Sequence, residues 1–374
     1  MLELPPLGLY VHIPWCVRKC PYCDFNSHER PGAGIPEAAY VRALCGEIAL
    51  NKKIRLIETV FFGGGTPSLF QPESFARLLG RLAERKCLAP EAEITLEANP
   101  GIAEAGRFAA CRAAGINRLS IGVQSFDDAA LARLGRIHGG ADARAAFTIA
   151  REAGFDNINL DLMFGLPRQS QSQALSDLET AIALAPEHIS WYQLTLEPNT
   201  VFWRRPPRLP PEHLIDTTQE AGIALLESAG YARYEVSAFA RPGKACRHNL
   251  NYWRFGDYLG IGAGAHGKLT DPATDRIIRT RKTRMPAHYL AAAEKTMTSE
   301  VAHGERPLEY LMNTLRLREG FAPADFERRT GIAFDAIGEK LECLRRDGLL
   351  ERDGDTIRAS ARGYRVLDSL LGKL

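Results

Sequence analysis

LGLYVHIPWCVRKCPYCDF, residues 7–25, runs from an apolar, strand-like segment directly into a loop that carries Cys16, Cys20 and Cys23. A near-continuous apolar run of this kind suits a strand buried in a parallel sheet. The C-x3-C-x2-C spacing that follows sets three thiols at the carboxyl end of that strand. Three thiolates can hold three irons of a [4Fe-4S] cluster and leave the fourth iron open to a non-protein ligand. Zinc is the competing reading, but structural zinc usually takes four ligands in paired C-x2-C knuckles. No second knuckle occurs. Three cysteines that merely fill space are the third alternative.

Working outward, five further strand patterns follow: ETVFFGG (58–64), EITLEAN (93–99), RLSIGVQ (118–124), NINLDLMF (157–164) and HISWYQLTL (188–196). Helix-like stretches such as EAAYVRALCGEIALNKK (37–53), PESFARLLGRLAERK (72–86) and ARAAFTIAREAG (143–154) lie between them. Six βα units in register predict an α/β fold with a parallel sheet, read as an incomplete TIM-like (β/α)6 barrel. An open doubly wound sheet remains the alternative; both gather ligands at the carboxyl ends of their strands. Those ends carry GGGTP (63–67), EANP (97–100), Gln124 with Ser125, and Asp161 ahead of FGLP. Glycines there allow close backbone approach to a ligand, while Glu97, Gln124 and Asp161 suit an amine or ribose hydroxyls.

Composition narrows the partners. The chain has 374 residues, 45% hydrophobic and 25% charged, enough for a full core. Lys and Arg number 47 against 45 Asp and Glu, so a net charge of +2 advertises neither nucleic acid nor an anionic membrane as a partner. No stretch approaches the roughly 18 apolar residues of a membrane span, and MLELPPLGLYVHIP lacks the pattern of a secretion signal, so a cytoplasmic address with reduced thiols is expected. Of the remaining cysteines, Cys45, Cys87, Cys111 and Cys343 are expected to be structural.

Cys16-x3-Cys20-x-Tyr22-Cys23, with an aromatic residue before the third cysteine, resembles the signature of radical S-adenosylmethionine (SAM) proteins. YVHIPWC (10–16), FFGGGTPSLF (61–70), LEANP (96–100), RLSIGVQSF (118–126), LGRIH (134–138) and NLDLMFGLP (159–167) together resemble the anaerobic coproporphyrinogen oxidase family, and above all its HemW-type haem chaperone branch. The likeness covers nearly the whole chain. It implies a [4Fe-4S] cluster on Cys16, Cys20 and Cys23, with SAM chelating the open iron and surrounded by Tyr10, Gly64, Gly65, Thr66, Glu97, Gln124, Arg136 and Asp161.

Two features choose the branch. Oxidase members carry an additional cysteine two residues after the third, where this sequence has Phe25; HNLNYW (248–253) matches a short motif of the chaperone branch. The resemblance therefore implies a haem carrier, with His248 as axial ligand and Asn249, Tyr252 and Trp253 around the macrocycle. Cys246 is an alternative ligand, and packing of the aromatic residues into the core is the alternative role for the motif. In a helix His248 would share a face with Tyr252, and Asn249 with Trp253. Haem and acceptor haemoproteins, membrane-bound respiratory proteins among them, are the implied partners; a homodimer and a peripheral place at the inner membrane stay open. The alternative function is a radical SAM oxidase or dehydrogenase acting on coproporphyrinogen III or a related porphyrin.

Domains are expected at 1–235 for the barrel, 236–300 for a connecting segment with HNLNYW, and 301–374 for a small winged-helix-like α+β unit. In the last, Phe334, Ile337, Leu341 and Leu344 form an apolar stripe, while Glu339 and Glu342 interrupt Lys340, Arg345 and Arg346. That mixture is not a phosphate-reading surface, so the unit is expected to cap the barrel or dock a partner.

Overall fold

The computed structural model of the protein describes residues 1–30, 32, 34–101, 105–292 and 295–374. Strand β1 (Leu7–Ile13) leads into the short pair β2 (Trp15–Cys16) and β3 (His28–Glu29). The barrel continues with β4 (Ile57–Gly64), β5 (Leu88–Ala98), β6 (Arg118–Gln124), β7 (Ile158–Phe164) and β8 (His188–Gln193). β1, β4, β5, β6, β7 and β8 are neighbours in sequence order, and every adjacent pair is parallel. An order that never reverses has no switch point, which removes the doubly wound alternative and leaves the incomplete TIM-like barrel.

Alternation along each strand divides two environments. Leu7, Leu9, Val11 and Ile13 of β1 are at most 1% exposed and pack with Tyr40, Val41, Leu44 and Ile48 of the helix Glu37–Leu50. The alternate residues Gly8, Tyr10 and His12 face the barrel interior, as do Thr59, Glu97, Ser120, Asp161 and Tyr192 on the other strands; their mutual contacts are hydrogen bonds and close approaches.

Residues 236–300 carry β10 (Ala238–Ala240), β11 (Asp257–Ile261), β12 (His266–Asp271), β13 (Arg276–Lys282) and β14 (Thr296–Glu300), after the two-residue β9 (Ala232–Arg233). β11 lies parallel to β1 on the side away from β4, and β12, β13 and β14 continue outward antiparallel. At the other end β10 pairs antiparallel with β8. Both ends of the parallel run are thus occupied, and the barrel stays open.

Asp257 anchors this extension. Its carboxylate is fully buried and accepts from Lys268 Nζ at 3.0 Å, Arg55 Nη2 at 3.0 Å, Thr270 N at 2.9 Å and Thr270 Oγ1 at 2.8 Å. Asp257→Ala should leave Lys268, 2% exposed, as an uncompensated buried charge. The expected cost is about 3–5 kcal/mol in urea unfolding. A loss below about 1 kcal/mol would show that Lys268 finds water or another acceptor.

The C-terminal unit comprises helices Arg306–Thr314, Pro323–Thr330 and Asp335–Arg346 and the hairpin of β15 (Leu350–Asp353) with β16 (Thr356–Ala359). Its core of Tyr310, Leu311, Phe326, Ile337, Leu341 and Leu344 includes Leu2, Phe255 and Ile277 from the barrel side. Phe334 packs against the same cluster while half-buried. One expectation fails here: Cys343 is exposed, because it falls off the stripe that Ile337, Leu341 and Leu344 set one turn apart. No helix of the described residues is long and apolar enough to cross a membrane.

Candidate functional site

The cysteine loop is tied to the barrel from several sides. β2 pairs with β3, Lys19 Nζ donates to the carbonyls of Phe25 and Ser27, and His12 Nε2 donates to the Asn26 carbonyl at 2.9 Å. Asn26 Nδ2 in turn donates to the carbonyls of Ala263 and Arg284, each at 3.0 Å. Cys16, Cys20 and Cys23 all line one cavity of about 280 Å³ with Gly64, Gly65, Thr66, Glu97, Gln124, Arg136 and Asp161. Seven of the eight residues expected around SAM therefore meet the three thiols. The eighth, Tyr10, lines a neighbouring cavity, where its ring stacks on Phe61 at 6.2 Å.

The strand ends dictate the polarity of the first cavity. Gly64 has φ +126°, and its N–H donates to Glu97 Oε2 at 3.1 Å. Burial, reinforced by Asp161, pushes the Glu97 carboxyl up to about 8, and burial raises Asp161 as well. Asp161 accepts from Ser120 Oγ at 3.1 Å and Asn159 Nδ2 at 2.8 Å, and His188 Nδ1 holds Asn159 from behind at 2.6 Å. Tyr192 donates to Gln124 Oε1, which fixes that amide's orientation. Arg136 donates to the Cys20 sulfur at 3.6 Å, Asn99 Oδ1 at 2.7 Å and the Gly122 carbonyl at 2.8 Å, joining the thiol loop to β6. A cavity whose buried carboxyls are held above their ordinary range favours a cationic ligand, whose arrival stabilises the carboxylate forms.

At Gly64 a Cβ would lie 2.7 Å from the Ile13 carbonyl oxygen and 2.8 Å from His12, on a backbone that L-residues avoid. Gly64→Ala should weaken SAM binding by about tenfold or more in equilibrium dialysis, as the turn moves away from Glu97. Unchanged affinity would mean the turn plays no part in ligand contact.

The second cavity, about 390 Å³, shares Phe25, Gly64 and Glu97 with the first and is lined beyond them by Tyr10, Tyr252, Tyr258, His266 and Arg284, among others. Of the four residues expected around haem, Tyr252 lines it. His248, Asn249 and Trp253 line neither of these two cavities. HNLNYW belongs to the helix Arg247–Trp253, which brings His248 and Tyr252 together at 5.0 Å between centroids. His248 is 3% exposed, stacked on Phe61 and bonded through Nδ1 to Thr59 Oγ1 at 2.8 Å; burial lowers its pKa to about 3. Trp253 sits under the Arg316 guanidinium, 4.4 Å away. Cys246 is fully buried against Glu93. Sequence reasoning missed Asn99, Ser120, Tyr192, His266 and Arg284. A signal existed for His266 in LGIGAGAHG (259–267): a Cβ on Gly264 would lie 2.1 Å from Asn26 Nδ2, and one on Gly262 2.4 Å from the His12 carbonyl oxygen.

The thiol set fits a cluster. Three sulfurs surround one cavity with no His or carboxylate interleaved in their loop spacing, and among the described residues no three His, Cys, Asp or Glu side chains converge on a single-ion position. Ligands of one zinc must converge, whereas ligands to separate irons of a cubane need not. An incomplete parallel barrel with such a loop over buried carboxyls defines the radical SAM class. Residues 10–181 match the Radical SAM superfamily, and residues 301–366 match the HemN C-terminal domain. Heme chaperone HemW of Escherichia coli (strain K12) is 48% identical over 374 residues, 99% of this chain and 98% of its own. Radical S-adenosyl methionine domain-containing protein 1, mitochondrial, of Bos taurus is 38% identical, over 97% of this chain and 86% of its own. The solved structure of coproporphyrinogen III oxidase (HemN) from Escherichia coli, described as a radical SAM enzyme, superposes with TM-score 0.82 at 24% identity over 99% of this chain and 90% of that one, and shares the fold. The chain belongs to the HemW family of radical SAM proteins. Membership implies a [4Fe-4S] cluster and SAM. Cys16, Cys20 and Cys23 would hold the cluster, and the strand-end residues would hold SAM, whose sulfonium would supply radical chemistry on taking one electron from the reduced cluster.

Proposed function

We propose that the protein carries haem and delivers it to acceptor haemoproteins, membrane-bound respiratory proteins among them. Phe25 is the observation that carries the reading. Its ring is 65% exposed on the wall shared by both cavities, at the position where the oxidase members resembled here carry a further cysteine. An apolar ring there offers surface to a macrocycle and no thiol. The names of full-length relatives support the same function.

Within this reading Gly64, Gly65, Thr66, Glu97, Gln124, Arg136 and Asp161 orient SAM beside the cluster. The test adds haem and coproporphyrinogen III separately to the anaerobically reconstituted chain. A carrier should bind about one haem, pass it to an apo-haemoprotein and leave coproporphyrinogen unchanged. Formation of decarboxylated product without haem retention would make the protein an oxidase instead.

A further inference from the structure

The interior face of the sheet continues past β1. Residues paired across adjacent strands lie on the same face. The registers Tyr10↔Gly260, Tyr258↔Lys268 and His266↔Arg281 therefore place Tyr10, Tyr258 and His266 on one continuous surface. Tyr252 joins it from the helix Arg247–Trp253, its ring 4.2 Å from that of Tyr258. Arg284 reaches the same cavity from the segment after β13. Both His266 and Arg284 are exposed, and neither side chain makes a hydrogen bond or ion pair among the described residues. Tyrosine rings form a wall, and an imidazole and a guanidinium face the opening.

We propose that this second cavity is the haem site, with His266 as the axial ligand of the iron, Arg284 paired with a propionate, and the macrocycle against Tyr10, Tyr252 and Tyr258; the proposal rests on the haem-carrier reading. Haem needs an aromatic surface, an imidazole and a cation for a carboxylate, and the cavity offers all three in its tyrosines, His266 and Arg284. Partial burial and the neighbouring Arg281, Arg279 and Arg284 lower the His266 pKa. The acidic residues lining the cavity are Asp24 and Glu97, the second of which burial holds in its neutral form below about pH 8. His248 then acts as a positioning residue: its ring supports Tyr252 edge-on from within the barrel.

Ferric haem titrated into the full-length chain tests this. His266→Ala should shift the Soret band and weaken binding about tenfold or more, and added imidazole should restore the band. Arg284→Glu should weaken haem binding by a similar factor with the band unmoved, and should lose the preference of the wild type for haem over its dimethyl ester. His248→Ala should weaken binding without moving the band. Unaltered melting temperatures of the two exposed-site variants exclude unfolding. If His266→Ala and Arg284→Glu bind as the wild type does, the site assignment is overturned while the carrier reading stands. If His248→Ala alone shifts the band, the iron lies at that residue and the proposal fails. A wild type that binds no haem ends both.

Discussion

Replacing Cys16, Cys20 and Cys23 together by alanine is expected to abolish the broad charge-transfer absorption of the anaerobically reconstituted chain and to take bound iron from about four per chain to none. All three thiols line one cavity. The other five are distributed elsewhere: Cys87, Cys111 and Cys246 buried, Cys45 half-buried and Cys343 exposed. Cys246→Ala should therefore leave the spectrum alone. Burial holds the Cys16 thiol up at about 11, so without metal it stays protonated at neutral pH, and cluster assembly must release that proton. A triple variant that kept the absorption would place the ligands among the outlying cysteines.

SAM affinity should rise with pH through a single buried carboxyl. Glu97 holds its proton up to about pH 8 in the empty cavity because burial, and then Asp161, disfavour the carboxylate. A cation beside it favours ionisation, so binding below that pH expels a proton and above it does not. The sign follows: affinity falls as pH drops below about 8, approaching tenfold per unit. Glu97→Gln mimics the neutral acid. It should match the wild type near pH 6 and bind about tenfold or more weakly near pH 9. Any titration of SAM itself cancels in that ratio. Calorimetry in buffers of different ionisation enthalpy reads the expelled proton directly, and equal proton release from both proteins would eliminate Glu97 as its source.

The barrel was legible because its six parallel strands are apolar runs, and the ends of the first five could be matched to one rim. Glu97, Gln124 and Asp161 were legible for the same reason. The extension through β11 to β14 was not. RIIRTRK, now β13, reads as a basic linker, yet Arg279 pairs with Glu309 and Tyr258, and Lys282 with Glu47, partners remote in sequence. HNLNYW shows a related limit. Helical spacing foretold that His248 and Tyr252 share a face, but not that this face turns into the barrel, because only Thr59 and Phe61 on β4 reveal it. His266 had a local signal in the alternating glycines of LGIGAGAHG, but the residues those glycines approach, His12 and Asn26, lie far away in sequence.

The two hydrogen bonds from Asn26 also fix an order of events during synthesis. Asn26 leaves the ribosome well before its partners, which lie 237 and 258 residues further on. β1 likewise waits for β11, which begins at Asp257. Contacts so distant in sequence form late and slowly. The thiol loop is therefore made before the segments that shape it, and its final form waits for β11 and the Arg284 carbonyl.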